Sequence, residues 1–221
     1  MALFGDKGKE LLEAVKAGRV SEVKILLDKG IDPNVMADGM TPLRFAVALG
    51  YPAIVEMLVD KGARVNEQYE QGQTVLMKAV TNGKIETTRF LVIRKADVNA
   101  RDARGWSPLI YASAGGHADT SSYLIYNGAE INIQDNEGLT PLMHAVSKGF
   151  DKIVSVLTER EANLHFKNKQ GQSVLDIAEI KRNKVILEIL QQALRAEEEK
   201  KKTTESQNFL FKDLFDLQNL G

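Results

Sequence analysis

Three histidines, His117, His144 and His165, are the side chains of this chain best suited to proton transfer or metal ligation, and their spacing denies them both roles as local motifs. No two form the i, i+4 pair that sets metal ligands on one helix face, and no nucleophile triad can be assembled from adjacent sequence. The chain has no cysteine, so disulfides and thiolate metal sites are excluded. Gly5-Asp6-Lys7-Gly8-Lys9-Glu10 superficially resembles a phosphate loop, yet it lacks the glycine spacing, the following Ser or Thr, and a preceding strand. No catalytic, cofactor-binding or metal-binding residue is therefore assigned. The chemistry left is that of contact, and it centres on rings: Trp106, the single tryptophan, with Tyr111 and Phe45. Large aromatic side chains are the anchors that dominate protein interfaces.

What positions these rings is a repeat. Gly39, Gly72, Gly105, Gly138 and Gly171 follow one another at intervals of 33 residues, the mark of a solenoid of stacked units. Two residues after each glycine stands a hydroxyl (Thr41, Thr74, Ser107, Thr140, Ser173), two further on a leucine, and three beyond that an alanine. The hydroxyl caps a first helix, and Pro42, Pro108 and Pro141 take the next position, where a missing N–H is harmless. A second glycine (Gly50, Gly83, Gly116, Gly149) breaks that helix, and a second helix follows with one apolar face. Each unit closes on a sequence such as Gly62-Ala63-Arg64-Val65-Asn66 or Gly128-Ala129-Glu130-Ile131-Asn132. Lys95 and Glu161 replace the closing glycine, so a left-handed backbone there carries strain.

The pattern resembles the ankyrin repeat over about residues 7–195: the period of 33, the Thr-Pro-Leu start and the Gly-Ala-Asp-Val-Asn-like end all match. The resemblance implies an all-α fold, an ankyrin-repeat solenoid of stacked helix-turn-helix units with β-turn or hairpin tips. It also implies a concave side, lined by the tips and the outward face of the first helices, that holds protein partners. On that side the tip position reads Met40, Gln73, Trp106, Leu139, Gln172, and the position before the repeating alanine reads Phe45, Lys78, Tyr111, His144, Ile177. Met40, Phe45, Trp106, Tyr111 and Leu139 are the expected contact residues; the rival role for the three rings is to cover the seam between repeats. The histidine usual after Thr-Pro-Leu is replaced by Arg44, Met77, Ile110, Met143 and Asp176, a departure from the family. By the same resemblance, Asn66 and Asn99 are implied as substrates where an asparaginyl hydroxylase is present.

Net charge is −1 with acids and bases intermixed, so the footprint of a nucleic-acid binder is missing. No apolar run approaches the length of a membrane span, and the first residues lack a signal peptide, which makes a cytoplasmic location the expectation. Residues 1–37 read as an N-terminal capping repeat, 38–195 as the ankyrin repeats with their C-terminal cap, and 196–221 as a charged spacer and docking segment. In that last segment Leu210, Leu214 and Leu217, flanked by Phe211, recur at i, i+4, i+7. Phe211, Leu214, Phe215 and Leu217 are accordingly expected to contact a partner. If the preceding helix stops near Lys202, about four flexible residues follow, spanning at most roughly 14 Å.

The reading is a non-catalytic protein-interaction module, an adaptor or a regulatory or inhibitory subunit, using the concave face and the C-terminal amphipathic helix. No cofactor, nucleic-acid partner or membrane span is expected. Two alternatives stay open: a scaffold that self-associates through its tail, and an enzyme or toxin-type effector whose site no local motif reveals.

Overall fold

The computed structural model describes residues 2–36 and 39–218, with side chains over 7–36 and 39–204. Twelve helices run through the described residues as six antiparallel pairs, and no strand is formed among them. The pairs are α1 (Ala2–Lys16) with α2 (Val20–Asp28), α3 (Pro42–Leu49) with α4 (Pro52–Asp60), and α5 (Val75–Thr81) with α6 (Ile85–Ile93). They continue as α7 (Pro108–Gly115) with α8 (Ala118–Tyr126), α9 (Pro141–Lys148) with α10 (Asp151–Glu159), and α11 (Val174–Lys181) with α12 (Lys184–Gln218).

The hydroxyls start the first helices as expected. Thr41, Thr74, Ser107, Thr140 and Ser173 each accept a hydrogen bond from the backbone N–H three residues on, at 3.2 to 3.4 Å. Asp176 bonds back to the N–H of Ser173 at 2.7 Å, completing a capping box. The second helices start differently: α2, α4, α6, α8 and α10 each begin two residues after a left-handed glycine, and α12 two residues after the left-handed Arg182. At Gly83 and Gly116 the restriction is also steric. A Cβ at Gly83 would come within 2.9 Å of the His117 ring, and one at Gly116 within 3.0 Å of the Phe150 ring. The residue entering each of these second helices thus rests on the glycine of the repeat before it.

First helices stack in one layer (α1, α3, α5, α7, α9, α11) and second helices in another, from α2 to α12. Between the layers the repeating leucines Leu43, Leu76, Leu109 and Leu142 meet Leu58, Leu91, Leu124 and Leu157, all at most 1% exposed. The alanines Ala46, Ala79, Ala112, Ala145 and Ala178 are fully buried where neighbouring first helices approach most closely. Ser113 is buried in a register that holds Val47, Val80 and Val146 in other repeats, and its Oγ has no hydrogen-bond partner.

Two sets of polar bonds tie repeat to repeat. Asn34 accepts from the N–H of Arg64 at 2.9 Å and donates to the carbonyl of Gly62 at 3.1 Å. Asn66 does the same for Asp97 and Lys95, and Asn99 for Glu130 and Gly128, at 2.8 to 2.9 Å. Asn132 accepts from Asn163 N–H at 2.8 Å. At the opposite tips, Ala103 N–H donates to Gln71 carbonyl, Asn136 to Arg104 and Lys169 to Glu137. Lys95, Glu161 and Arg182 all hold positive φ (67°, 61° and 54°), the strained conformation expected where they replace glycine.

The helix does not stop near Lys202. α12 runs unbroken to Gln218, about 52 Å at 1.5 Å per residue. The physical reason lies in the sequence, which has neither glycine nor proline between Gly171 and Gly221. An ion pair between Lys200 and Glu161 and a hydrogen bond between His165 Nε2 and Glu197 Oε2 at 3.0 Å fasten it to the turn after α10. Ala162, Leu164, Ala193 and Leu194 line a cleft of about 760 Å³ beneath them.

Candidate protein-interaction surface

The tips are built on a second 33-residue series, Asp102, Asp135 and Asn168. Asp102 Oδ1 accepts from the backbone N–H groups of Arg104 and Trp106 at 2.9 and 2.8 Å. Asp135 holds Glu137 and Leu139 at 2.9 Å each, and Asn168 holds Gln170 and Gln172 at 3.1 and 2.8 Å. A short side-chain acceptor that caps its own turn fixes the tip and aims the residue four positions later, which is Trp106, Leu139 or Gln172.

The second carboxylate oxygen reaches the first helix. Tyr111 donates its hydroxyl to Asp102 Oδ2 at 2.8 Å, and His144 bonds Asp135 Oδ2 through Nε2 at 2.8 Å. Both acceptors stand nine residues before their partners. A carboxylate only accepts, so Nε2 of His144 carries the proton. Burial holds the His144 imidazole below its usual value of 6.5, against the opposing bond to Asp135. Burial likewise raises Tyr111 above 10.0. In the repeat before, Tyr69 occupies the acid's position instead; its hydroxyl meets Thr41 Oγ1 at 3.1 Å and Arg44 lies over its ring.

These bonds hold up Trp106. Its ring is half-buried, edge-on to Tyr111 with centroids 5.1 Å apart and to His144 at 4.7 Å. The Arg104 guanidinium lies 4.2 Å from the ring centroid. Tyr111 itself is only 8% exposed, and its hydroxyl also accepts from Arg104 Nη2 at 2.8 Å and Gln73 Nε2 at 3.1 Å. It is thus a support beneath the surface, and its ring is not offered to solvent.

Leu139 is half-buried in the next tip against the C-terminal half of the core. Met40 and Phe45 lie two repeats away, both half-buried; Phe45 packs on the core with the Lys16 ammonium 5.1 Å over its ring. Phe211, Leu214, Phe215 and Leu217 fall outside the residues whose side chains are described. Among the described residues no group of three or more Asp, Glu or His could hold a metal ion. The Asp135–His144 pair lies against the tryptophan and buttresses its ring.

A family model of ankyrin repeats matches in three copies, over residues 6–69, 64–135 and 122–202. The chain belongs to the ankyrin repeat family. It is 43% identical over 51 residues to the ankyrin repeat protein FPV223 of fowlpox virus (strain NVSL), covering 23% of this chain and 36% of that one. It is 41% identical over 66 residues to the 2-5A-dependent ribonuclease of Mus musculus, covering 29% of this chain and 9% of that one. The chain therefore spans about a third or less of the curated relatives it matches. Ankyrin repeats are in general protein-interaction modules, and in two units of this ankyrin stack the tip is bonded directly to the first helix that follows it. Among the described residues no helix is long and apolar enough to cross a membrane.

The ankyrin frame exposes what sequence reasoning missed. Asp102, Asp135 and Asn168 share one repeat position, and that spacing was available as a signal; their pairing with positions nine residues on was not.

Proposed function

We propose that this ankyrin protein is a non-catalytic adaptor or regulatory subunit whose inner face holds a protein partner around Trp106. The observation that carries the reading is the buttressing of that ring: Tyr111, His144 and Arg104 fix it while part of it remains open to solvent. A rigid, partly exposed aromatic is an efficient anchor, because little side-chain freedom is left to lose on binding. Tyr111 contributes by positioning, while Met40, Phe45 and Leu139 extend the surface along the tips. A catalytic role would need a reactive group, and the two buried acids at the tips, Asp102 and Asp135, are taken up by turn and helix bonds.

The tail is a second element of the same function. α12 continues past the stack as one helix to Gln218, and Leu210, Leu214 and Leu217 recur along it at i, i+4, i+7, a spacing suited to docking on a second protein or another copy. Affinity capture from the native cell with wild type, Trp106→Ala and a chain ending at 204 tests both parts. Trp106→Ala is expected to weaken the principal partner by about 2 kcal/mol or more, roughly thirty-fold, with helical content unchanged. An unchanged partner set in Trp106→Ala would overturn the inner-face assignment.

A further inference from the structure

Arg104 is an exposed arginine that the fold has already immobilised. Its side chain is 54% exposed. Exposed arginines ordinarily sample many rotamers, and ordering one on binding offsets much of what its bonds contribute. Here Nη2 donates to the Tyr111 hydroxyl at 2.8 Å, and Nε and Nη2 make only long contacts of 3.4 and 3.5 Å to Asp102 Oδ2. The guanidinium carbon lies over the Trp106 ring at 4.2 Å and stands 5.5 Å from the centre of the Tyr111 ring. Of its five N–H donors, the two on Nη1 bond nothing among the described residues. The fork is aimed and half unused. The tryptophan beneath it has an indole N–H that likewise makes no bond among the described residues.

The surroundings favour an anion. Exposed bases share this stretch of inner face: Lys78 on α5, Arg101 in the same tip, Lys148 on α9, and Lys167 and Lys169 in the tip two repeats on. Arg101 reaches the carbonyl of Gln134 at 2.7 Å, which keeps its charge near the tips. The exposed acids in the same stretch are Glu70, Glu137 and Asp176, the last taken up by Ser173 in its capping box, while Asp102 and Asp135 are buried and saturated with donors. The chain as a whole carries a net charge of −1, so this excess of base is local.

On the reading that the inner face is the binding surface, we infer that its partner is an acidic, extended protein segment. One of its Asp or Glu carboxylates docks on the Nη1 edge of Arg104, and an adjoining apolar side chain lies on the open edge of Trp106. A carboxylate matches the planar fork in two parallel bonds. A nucleic-acid backbone is disfavoured, since Glu70 and Glu137 interrupt the bases and no continuous cationic track runs along the tips.

A random twelve-residue peptide library panned on the full chain, with Trp106→Ala for counter-selection, tests the inference. Binding of the enriched peptides is read by the fluorescence of Trp106, the single tryptophan. Enrichment of Asp and Glu is expected, with affinity falling as salt rises. Arg104→Gln is expected to weaken the selected peptides about ten-fold, Arg104→Lys to recover only part of that, and Arg101→Gln to weaken them about three-fold or less. Trp106-dependent peptides with no acidic bias, or with affinity indifferent to Arg104→Gln, would overturn the inference and leave the inner-face reading standing. A library that yields nothing dependent on Trp106 would sink both. Tighter binding of a phosphoserine peptide or a single-stranded RNA than of the acidic peptides would overturn the carboxylate assignment alone.

Discussion

Replacing Tyr111 by phenylalanine removes one oxygen and leaves the ring under Trp106 in place. That oxygen donates to Asp102 and accepts from Arg104 and Gln73. Arg104 is exposed and Gln73 half-exposed, so both recover water when the oxygen goes. The Asp102 side chain is 2% exposed and does not; its Oδ2 is left with the 3.4 and 3.5 Å contacts to Arg104. A hydrogen bond to a buried charged group contributes about 2 kcal/mol. Divided by a urea dependence of about 2 kcal/mol per molar, that lowers the unfolding midpoint by about 1 M. Trp106 fluorescence is the assay, since the ring lies 5.1 Å from Tyr111 and reports the repeat that changes. Tyr126→Phe is the control: Tyr126 is 84% exposed, and its change should stay within about 0.5 kcal/mol. With Asp102→Asn as background, the effect of Tyr111→Phe should fall by more than half, because the charge that needed the donor is gone. A midpoint shift below about 0.3 M, or an equal effect in both backgrounds, would refute the account of the tip as a carboxylate-centred support.

His144 gives a pH signature: its native imidazole sits below 6.5, so on acidification the unfolded chain binds a proton that the native protein refuses. Stability should be full above about pH 6.5 and decline below it until the native value is reached, and His144→Gln should flatten that decline in urea titrations; equal decline in both proteins would exclude His144 as its source. Asp135, Lys148 and Arg104 all act on this ring, the two cations in the same sense as burial. Ser113→Val removes an unpartnered buried hydroxyl in a register where other repeats carry valine, and should raise stability by about 1 kcal/mol in thermal unfolding. Lys95→Gly relieves a φ of 67° and should stabilise by about 1 kcal/mol; a lower melting temperature would mean that the turn is unstrained.

The repeats were legible because their marks are local. A hydroxyl caps the helix that begins beside it, and a glycine ends the helix just before it, so each can be recognised from a few neighbouring residues. The supports of Trp106 were not legible in this way. Tyr111 reads as one more surface aromatic until the tip is folded and Asp102, nine residues earlier, is brought under it. His144 belongs to the following repeat, and only stacking carries it to the tryptophan. The run of α12 past Lys202 was misjudged for another reason. Charge density suggested a solvated spacer, whereas three acids followed by three bases, Glu197 to Glu199 and Lys200 to Lys202, pair at i, i+3 and with no breaker residue are compatible with a continuous helix.

The asparagine bonds between repeats all point one way. Asn34, Asn66, Asn99 and Asn132 each serve backbone groups of the repeat that follows. Under mechanical load this gives the stack a ratchet's polarity. A repeat peeled from the C-terminal end leaves behind an asparagine amide that water solvates, and the turn beneath it stays clamped by its own predecessor. A repeat peeled from the N-terminal end takes the clamp of its successor with it, so the next turn is loosened before it bears force. Single-molecule pulling from the C-terminal side should therefore give separate steps of one repeat each, and pulling from the N-terminal side should give larger cooperative ones; identical traces from both ends would show that the asparagines carry no load.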